Sequence, residues 1–287
     1  MRYALSGLLA VIVSMVSAAQ TPLRFEVASV KPTLQERGVS QLTDSGFTMT
    51  AAPVRTLIAF AYGGPAFRIL EGESWIRQDR FEIRGTFPPL PPGGRKQKLE
   101  TAQAMMRTLL AERFALRVRE ETRILPRFVL SIKDPKRKNA PGRLPANPAC
   151  EKLRADILSG AVKPRTANDP APPPDPTRPN CGIRSGPKGD TYSLSSDGAT
   201  MEELVSTLTV YLGRYIEDRT GIQGLGFKLT FGLEQVPRLA ARSPTPPSAT
   251  GPTIADALAT DMNLSLRSER GPVPVIVVEH VERPTPN

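Results

Sequence analysis

The chain has 287 residues, 39% of them hydrophobic, which is enough for one large core or two modest ones. With 38 Lys and Arg against 28 Asp and Glu it carries a formal charge of +10 at pH 7, so anionic partners suit it. A single histidine and two cysteines about thirty residues apart argue against an ordinary zinc site.

The start, "MRYALSGLLAVIVSMVSAAQ", has a positive charge at Arg2, an apolar run of about a dozen residues and small residues at Ser17, Ala18 and Ala19. This is the pattern of a signal peptide over 1–19, with cleavage near Ala18 or Ala19 and export to the periplasm or outside the cell. The run is short for a membrane span, which needs about 20 residues, although an uncleaved N-terminal anchor is the other reading. No span follows it.

From Phe25 the mature chain reads "FEVASVKP", an edge strand stopped by Pro32. Comparison of the chain with itself then finds an internal duplication.

"LLAERFALRVREETRILPRFVLSI" from Leu109 aligns without a gap with "ALATDMNLSLRSERGPVPVIVVEH" from Ala257. Leu110 meets Leu258, Phe114 meets Met262, Leu116 meets Leu264 and Leu130 meets Val278. Each copy reads as the end of an amphipathic helix and two short strands closed by a β-hairpin at a proline. In the first copy the helix runs from about Gln97 to Glu112, and the strands cover Ala115–Thr122 and Arg127–Lys133. Upstream, Phe47 answers Tyr192, Val54 answers Met201, Leu57 answers Leu204 and Ala61 answers Leu208. The strand "DRFEIRGTF" then faces "LGFKLTFGL", with Phe81 opposite Phe227 and Ile83 opposite Leu229.

The fold expected is α+β, two related β-α-β-α-β-β halves with helices packed on mixed sheets. The first half, with its extra N-terminal strand, spans 24–134, and the second spans 190–283. Most of the 30 prolines fall in Pro88–Pro92, Pro135–Pro187 and Pro237–Pro252, and the region 135–189 reads as a Pro-rich linker. In an oxidising compartment Cys150 and Cys181, which lie in that linker, form an even pair suited to a disulfide; two free thiols or a metal site are the alternatives.

Candidate site residues are few. Trp75, the only tryptophan, reads as a core anchor or a ligand-stacking ring. The dipeptides Asp79–Arg80 and Asp218–Arg219 read as local turn chemistry or as a carboxylate with a guanidinium clamp. The lone His280 falls inside a strand, which leaves no base for a Ser-His-Asp or Cys-His arrangement. No Walker loop, GxGxxG or metal motif is present, so no cofactor is expected. The densest basic run, "KDPKRKNAPGR", has no aromatic residue to stack on bases, which argues against nucleic acid.

"FEVASVKP", the Trp followed by "DRFEI", "MMRTLLAERFALRVREETRILPRFVLSI", "DRTGIQG" and "GPVPVIVVEHVERPTPN" together resemble the domain of unknown function 3738, an uncharacterised family abundant in soil Acidobacteria. The resemblance covers nearly the whole mature chain and implies no catalytic residue. It permits a sensing role, because relatives occur beside membrane sensor peptidases. Lys228 stands where members usually carry an acid, and "DRTGIQG" replaces "DRTG-LTG", which puts any shared acidic site in doubt.

The function expected is therefore a non-enzymatic binding module for an envelope protein or an anionic envelope polymer. The alternative is a carboxylate-dependent hydrolase using Asp79, Glu82 or Asp218 in a cleft between the halves.

Overall fold

A computed structural model describes residues 22–36, 38–43, 45–88, 95–137, 140–159, 161–162, 178–235 and 251–284. The expected leader, most of the prolines between Pro237 and Pro252 and part of the linker lie outside these residues.

The first half builds an antiparallel sheet from β1 (Val27–Thr33), β2 (Ser40–Leu42), β3 (Gly46–Pro53) and β5 (Arg80–Thr86), in the order β1-β5-β3-β2. Its other elements are α1 (Val54–Ala61), β4 (Ile69–Glu71), α2 (Trp75–Gln78) and α3 (Arg95–Arg113). The helix expected over Gln97–Glu112 is α3, and the N-terminal strand takes the edge position expected of it. Pro32 does not stop that strand, however: it pairs with Phe81, and Thr33 pairs with Arg80 beyond it. An edge strand tolerates the missing N–H where the donor would face outward.

The second half has a four-stranded sheet of its own. Its antiparallel sheet runs β7-β11-β9-β8, from β7 (Arg143–Leu144), β8 (Arg184–Lys188), β9 (Thr191–Thr200) and β11 (Gly224–Gly232). Between and around them come α4 (Pro148–Leu158), α5 (Met201–Leu212), β10 (Ile216–Asp218) and α6 (Ile254–Asp261). The segment read as a linker thus contributes β7, α4 and β8 to this half. Cys150 and Cys181 are joined, with Sγ atoms 2.12 Å apart, so α4 is tied to the chain just before β8. Gly198 of β9 leaves room for this bridge, since a Cβ there would sit 2.4 Å from Cys150 Cβ.

The third sheet corrects the hairpin expectation. In place of two short strands per half, β6 (Arg117–Ile132) and β12 (Leu264–His280) each run unbroken and pair antiparallel with one another. The register goes from Leu264 opposite Ile132 to Val278 opposite Val118, with Ile124 opposite Pro272 at the centre. Each outer edge receives a short parallel strand from the other half. β4 lies beside β12, with Ile69 opposite Ile276, and β10 lies beside β6, with Ile216 opposite Phe128. The mixed sheet β10-β6-β12-β4 is therefore shared between the halves.

Two cores follow from this exchange. One packs Leu57, Ile58, Ile76, Phe81, Met105 and Leu110 with Ile276 and Val278 from the far strand. The other packs Leu194, Leu204, Leu208, Phe227, Phe231 and Leu258 with Leu130 from the first half. Every apolar pair aligned above between positions 47–83 and 192–229 is buried, from Phe47 and Tyr192 to Ile83 and Leu229. Burial of a Leu or Phe side chain contributes about 1.5–3 kcal/mol, which is why these positions and not the loops define the fold.

Candidate functional site

A groove of about 980 Å³ has walls from both halves. One wall is α5. Its capping box fixes where it starts: Thr200 Oγ1 accepts from Glu203 N at 3.1 Å, and Thr200 N donates to the Glu203 carboxylate at 2.8 Å. Gly213, at φ 60°, ends the helix in the left-handed conformation that glycine adopts without strain. Leu204 and Leu208 are buried on one side of α5, while Met201, Glu202, Val205, Ser206, Thr209 and Val210 line the groove. Val210 is 62% exposed.

The other wall is the end of α1 with the turn after it, together with Leu99 and Gln103 of α3. Gly63, at φ 64°, terminates α1. Gly64 leaves space for Arg68, because a Cβ there would meet its guanidinium at 2.9 Å. Arg68 is held by the shared sheet, its Nε donating to the Pro274 carbonyl at 2.6 Å. In the alignment of the halves Ala59 matches Ser206 and Gly63 matches Val210, and all four line the groove.

The surface is mainly apolar, with a sparse set of charged groups at Arg68, Glu202 and Asp218. Asp218 Oδ1 accepts from Thr220 N at 2.8 Å, the turn chemistry expected of "EDRTG". Such a surface can bind an extended segment through apolar contact and orient it with a few polar groups.

The five sequence candidates divide between three places. Trp75 is buried, donates from Nε1 to Glu73 at 3.0 Å and carries the Arg283 guanidinium 4.9 Å from its ring centre. Arg283 Nε in turn donates to Asp79 at 2.8 Å, and Arg80 Nη1 donates to the Ala51 carbonyl at 3.0 Å. Asp79, Arg80 and Arg283 border a second hollow of about 680 Å³, at the end of β1. Asp218 lies in the groove, while Arg219 turns to Glu217 on the shared sheet at 2.8 Å. Glu82 pairs with Arg84 on the first sheet. Asp79, Glu82 and Asp218 are therefore not brought together.

Sequence reasoning missed Arg68, Glu202 and Val210. Val210 left a signal, since it falls off the apolar stripe of Met201, Leu204 and Leu208. Arg68 left none, because its place depends on a carbonyl of β12, far along the chain.

Among the described residues no group of three or more His, Cys, Asp and Glu is placed to hold a metal ion. No described helix is long and apolar enough to cross a membrane. The sequence model of the family described as "Protein of unknown function (DUF3738)" matches residues 55–281. No curated protein and no solved structure matches the chain.

Proposed function

The chain belongs to the DUF3738 family, and from that premise we propose that it is an exported, non-enzymatic binding module of the cell envelope. Its ligand is a segment of an envelope protein, or an envelope polymer, laid in the groove between α5 and the α1 turn. The observation that carries this reading is the groove itself: two walls from different halves, mainly apolar, with Val210 left open to solvent. The apolar lining favours a protein segment over a polyanion. Export is supported by the leader-like start and by the Cys150–Cys181 disulfide, which oxidising compartments maintain.

The test is a titration of the full chain against an array of extended peptides and against purified envelope polysaccharide, repeated with Val210→Glu. One ligand class should saturate, and the glutamate should weaken it at least about tenfold, or about 1.4 kcal/mol, by placing a charge against the apolar wall. If nothing saturates, or if Val210→Glu binds as well as the parent, the groove is not the binding site.

Glu202 and Asp218 both line the groove, and this favours one second reading, a carboxylate-dependent hydrolase. Cleavage of the bound ligand that is lost in Asp218→Asn, with binding retained, would replace the first reading by the second.

A further inference from the structure

β1 is the outer strand of the first sheet, and among the described residues no strand lies on its far side. Glu26 N donates to the Thr86 carbonyl at 2.9 Å, whereas the next residue, Phe87, donates its N–H to Ser45 O, on the side of β3, at 2.9 Å. The alternation along β5 therefore turns Thr86, Arg84 and Glu82 toward β1, where their register partners are Val27, Ser29 and Lys31. The residues between these, Ala28, Val30 and Pro32, direct their main-chain groups outward. What the sheet leaves open there is the N–H and C=O of Ala28 and of Val30, and the C=O of Pro32. Such a row is matched in spacing by another extended backbone.

The side chains of Ala28 and Val30 turn inward to the first core, Val30 being 1% exposed. Two hollows border the open edge on that side. One, of about 180 Å³, lies between Phe25, Ala28 and the α3 residues Met105 and Leu109, with the Arg24–Glu112 ion pair beside it. The other is the hollow of about 680 Å³, lined by Val30, Pro32, Leu34, Phe81 and Pro284 among others. Successive inward side chains of an added strand stand about 7 Å apart, so those opposite Ala28 and Val30 fall at one hollow and then the next. Leu34 is fully exposed and offers the second of them apolar contact. On the outer face Lys31 is exposed and has no ion pair with a described carboxylate, because Glu82, its partner in register, is held by Arg84. An acid beside Lys31 supplies the missing charge, while Glu26 and Glu36, before and after the strand, disfavour one at either end.

We propose that the free edge of β1 binds an extended peptide segment of a partner protein by strand addition, with apolar side chains entering the two hollows and an acidic one meeting Lys31. The row of main-chain groups supplies affinity, and the hollows with Lys31 select the sequence. Antiparallel pairing is the more stable arrangement for it. This surface is separate from the groove, since neither hollow shares a lining residue with it.

The full chain is titrated by calorimetry with the peptide acetyl-Thr-Phe-Glu-Leu-Ser-Ala-Thr-amide, whose Glu, Leu and Ala stand opposite Lys31, Val30 and Ala28 in antiparallel register. It should saturate. Methylation of its Leu and Ala amides removes the donors that face β1 and should weaken binding at least about tenfold, or about 1.4 kcal/mol. Methylation of its Glu and Ser amides, which face away, should leave binding unchanged. Exchange of the peptide Glu for Lys should weaken binding to the parent and strengthen binding to Lys31→Glu, the difference shrinking as salt is added. Ala28→Pro deletes an outward N–H without touching the ladder with β5, and should also weaken binding at least about tenfold. If that variant fails to fold, the two methylated peptides decide the matter on the parent chain. Val210→Glu should bind the peptide like the parent, so failure here and failure of the groove reading are told apart. The proposal is overturned if the peptide does not saturate, if the two methylated forms bind alike, or if Lys31→Glu keeps the preference for Glu. It is overturned too if the chain alone sediments as a dimer that Ala28→Pro dissociates, since the occupant of the edge is then a second copy.

Discussion

Arg127 is 5% exposed, deep burial for an arginine on a strand where nearby Ile124 and Pro126 face solvent. Its Nη2 lies 2.7 Å from Glu217 on β10 and 2.8 Å from Glu269 on β12, and its Nη1 donates to the Pro272 carbonyl at 3.0 Å. One guanidinium thus ties three strands together. Gly271 makes this possible, for a Cβ there would stand 2.2 Å from Arg127 Nε. Breaking a buried ion pair costs about 3–5 kcal/mol, but here both carboxylates keep contact with water, so Arg127→Ala should cost less, about 2 kcal/mol. Gly271→Ala should destabilise by displacing the same guanidinium, and should add little once Arg127 is already alanine. A double-mutant cycle in urea checks this, and simple additivity would show that Gly271 serves the backbone and not Arg127. None of this was legible in the sequence. Arg127 read as the first residue of a short strand, because its burial depends on acids about 90 and 140 residues further along.

At the scale of the element, the sequence misled where it read turns. "ILPRF" and "RGPVPV" have prolines between apolar runs, the usual mark of a hairpin, yet both lie inside continuous strands. The reason is the alternation of the antiparallel ladder, in which every second residue points its N–H and C=O away from the partner strand. Phe128 shows which set points outward in β6, since its N–H donates to Tyr215 at 2.8 Å on the far side from β12. Pro126 is two residues earlier and so shares that orientation. Pro272 and Pro274, opposite Ile124 and Thr122, occupy the matching positions in β12. All three prolines therefore replace outward donors and cost the ribbon none of its own hydrogen bonds.

The outward carbonyls are covered as well: Pro274 by Arg68, Pro272 by Arg127 and Ile124 by Arg270. Since β10 covers β6 only at Phe128–Leu130 and β4 covers β12 only at Ile276–Val278, the middle of the ribbon would otherwise be an open edge. Changing Pro272 and Pro274 together to valine restores two outward N–H donors. The variant should fold and then associate with rising concentration, read by light scattering against a parent that stays monodisperse. Equal behaviour at equal concentration would mean that the prolines have no protective role. Helix α3, by contrast, was legible within two residues at each end, because its apolar period is local, whereas α4 was hidden in the Pro-rich segment read as a linker.

For the whole molecule, the exchange of strands decides what can fold alone. The first core needs Ile276 and Val278 from β12, and the second needs Leu130 from β6. The alignment that sets Leu110 beside Leu258 also sets Ile124 beside Pro272, and these two residues face each other at the centre of the ribbon. The edges repeat the pattern, with Ile69 beside Ile276 in one half and Ile216 beside Phe128 in the other. If the halves are copies of one unit, two copies of the first should reproduce this arrangement. A fragment covering residues 22–134 lacks the β12 residues that close its core, so as a monomer it leaves Leu116, Ile69 and Ile76 partly uncovered. Pairing β6 with a second β6 about Ile124 would bring Phe128, Leu130 and Ile132 of each copy to the place that Ile276, Val278 and His280 hold in the intact chain. The fragment should therefore sediment as a folded dimer that dissociates and unfolds together on dilution, since a closed two-fold pairing buries both deficient cores at once. A fragment that is folded and monomeric would show that β12 is dispensable to the first core. One that stays unfolded at high concentration would show that the two halves have diverged too far for one to stand in for the other.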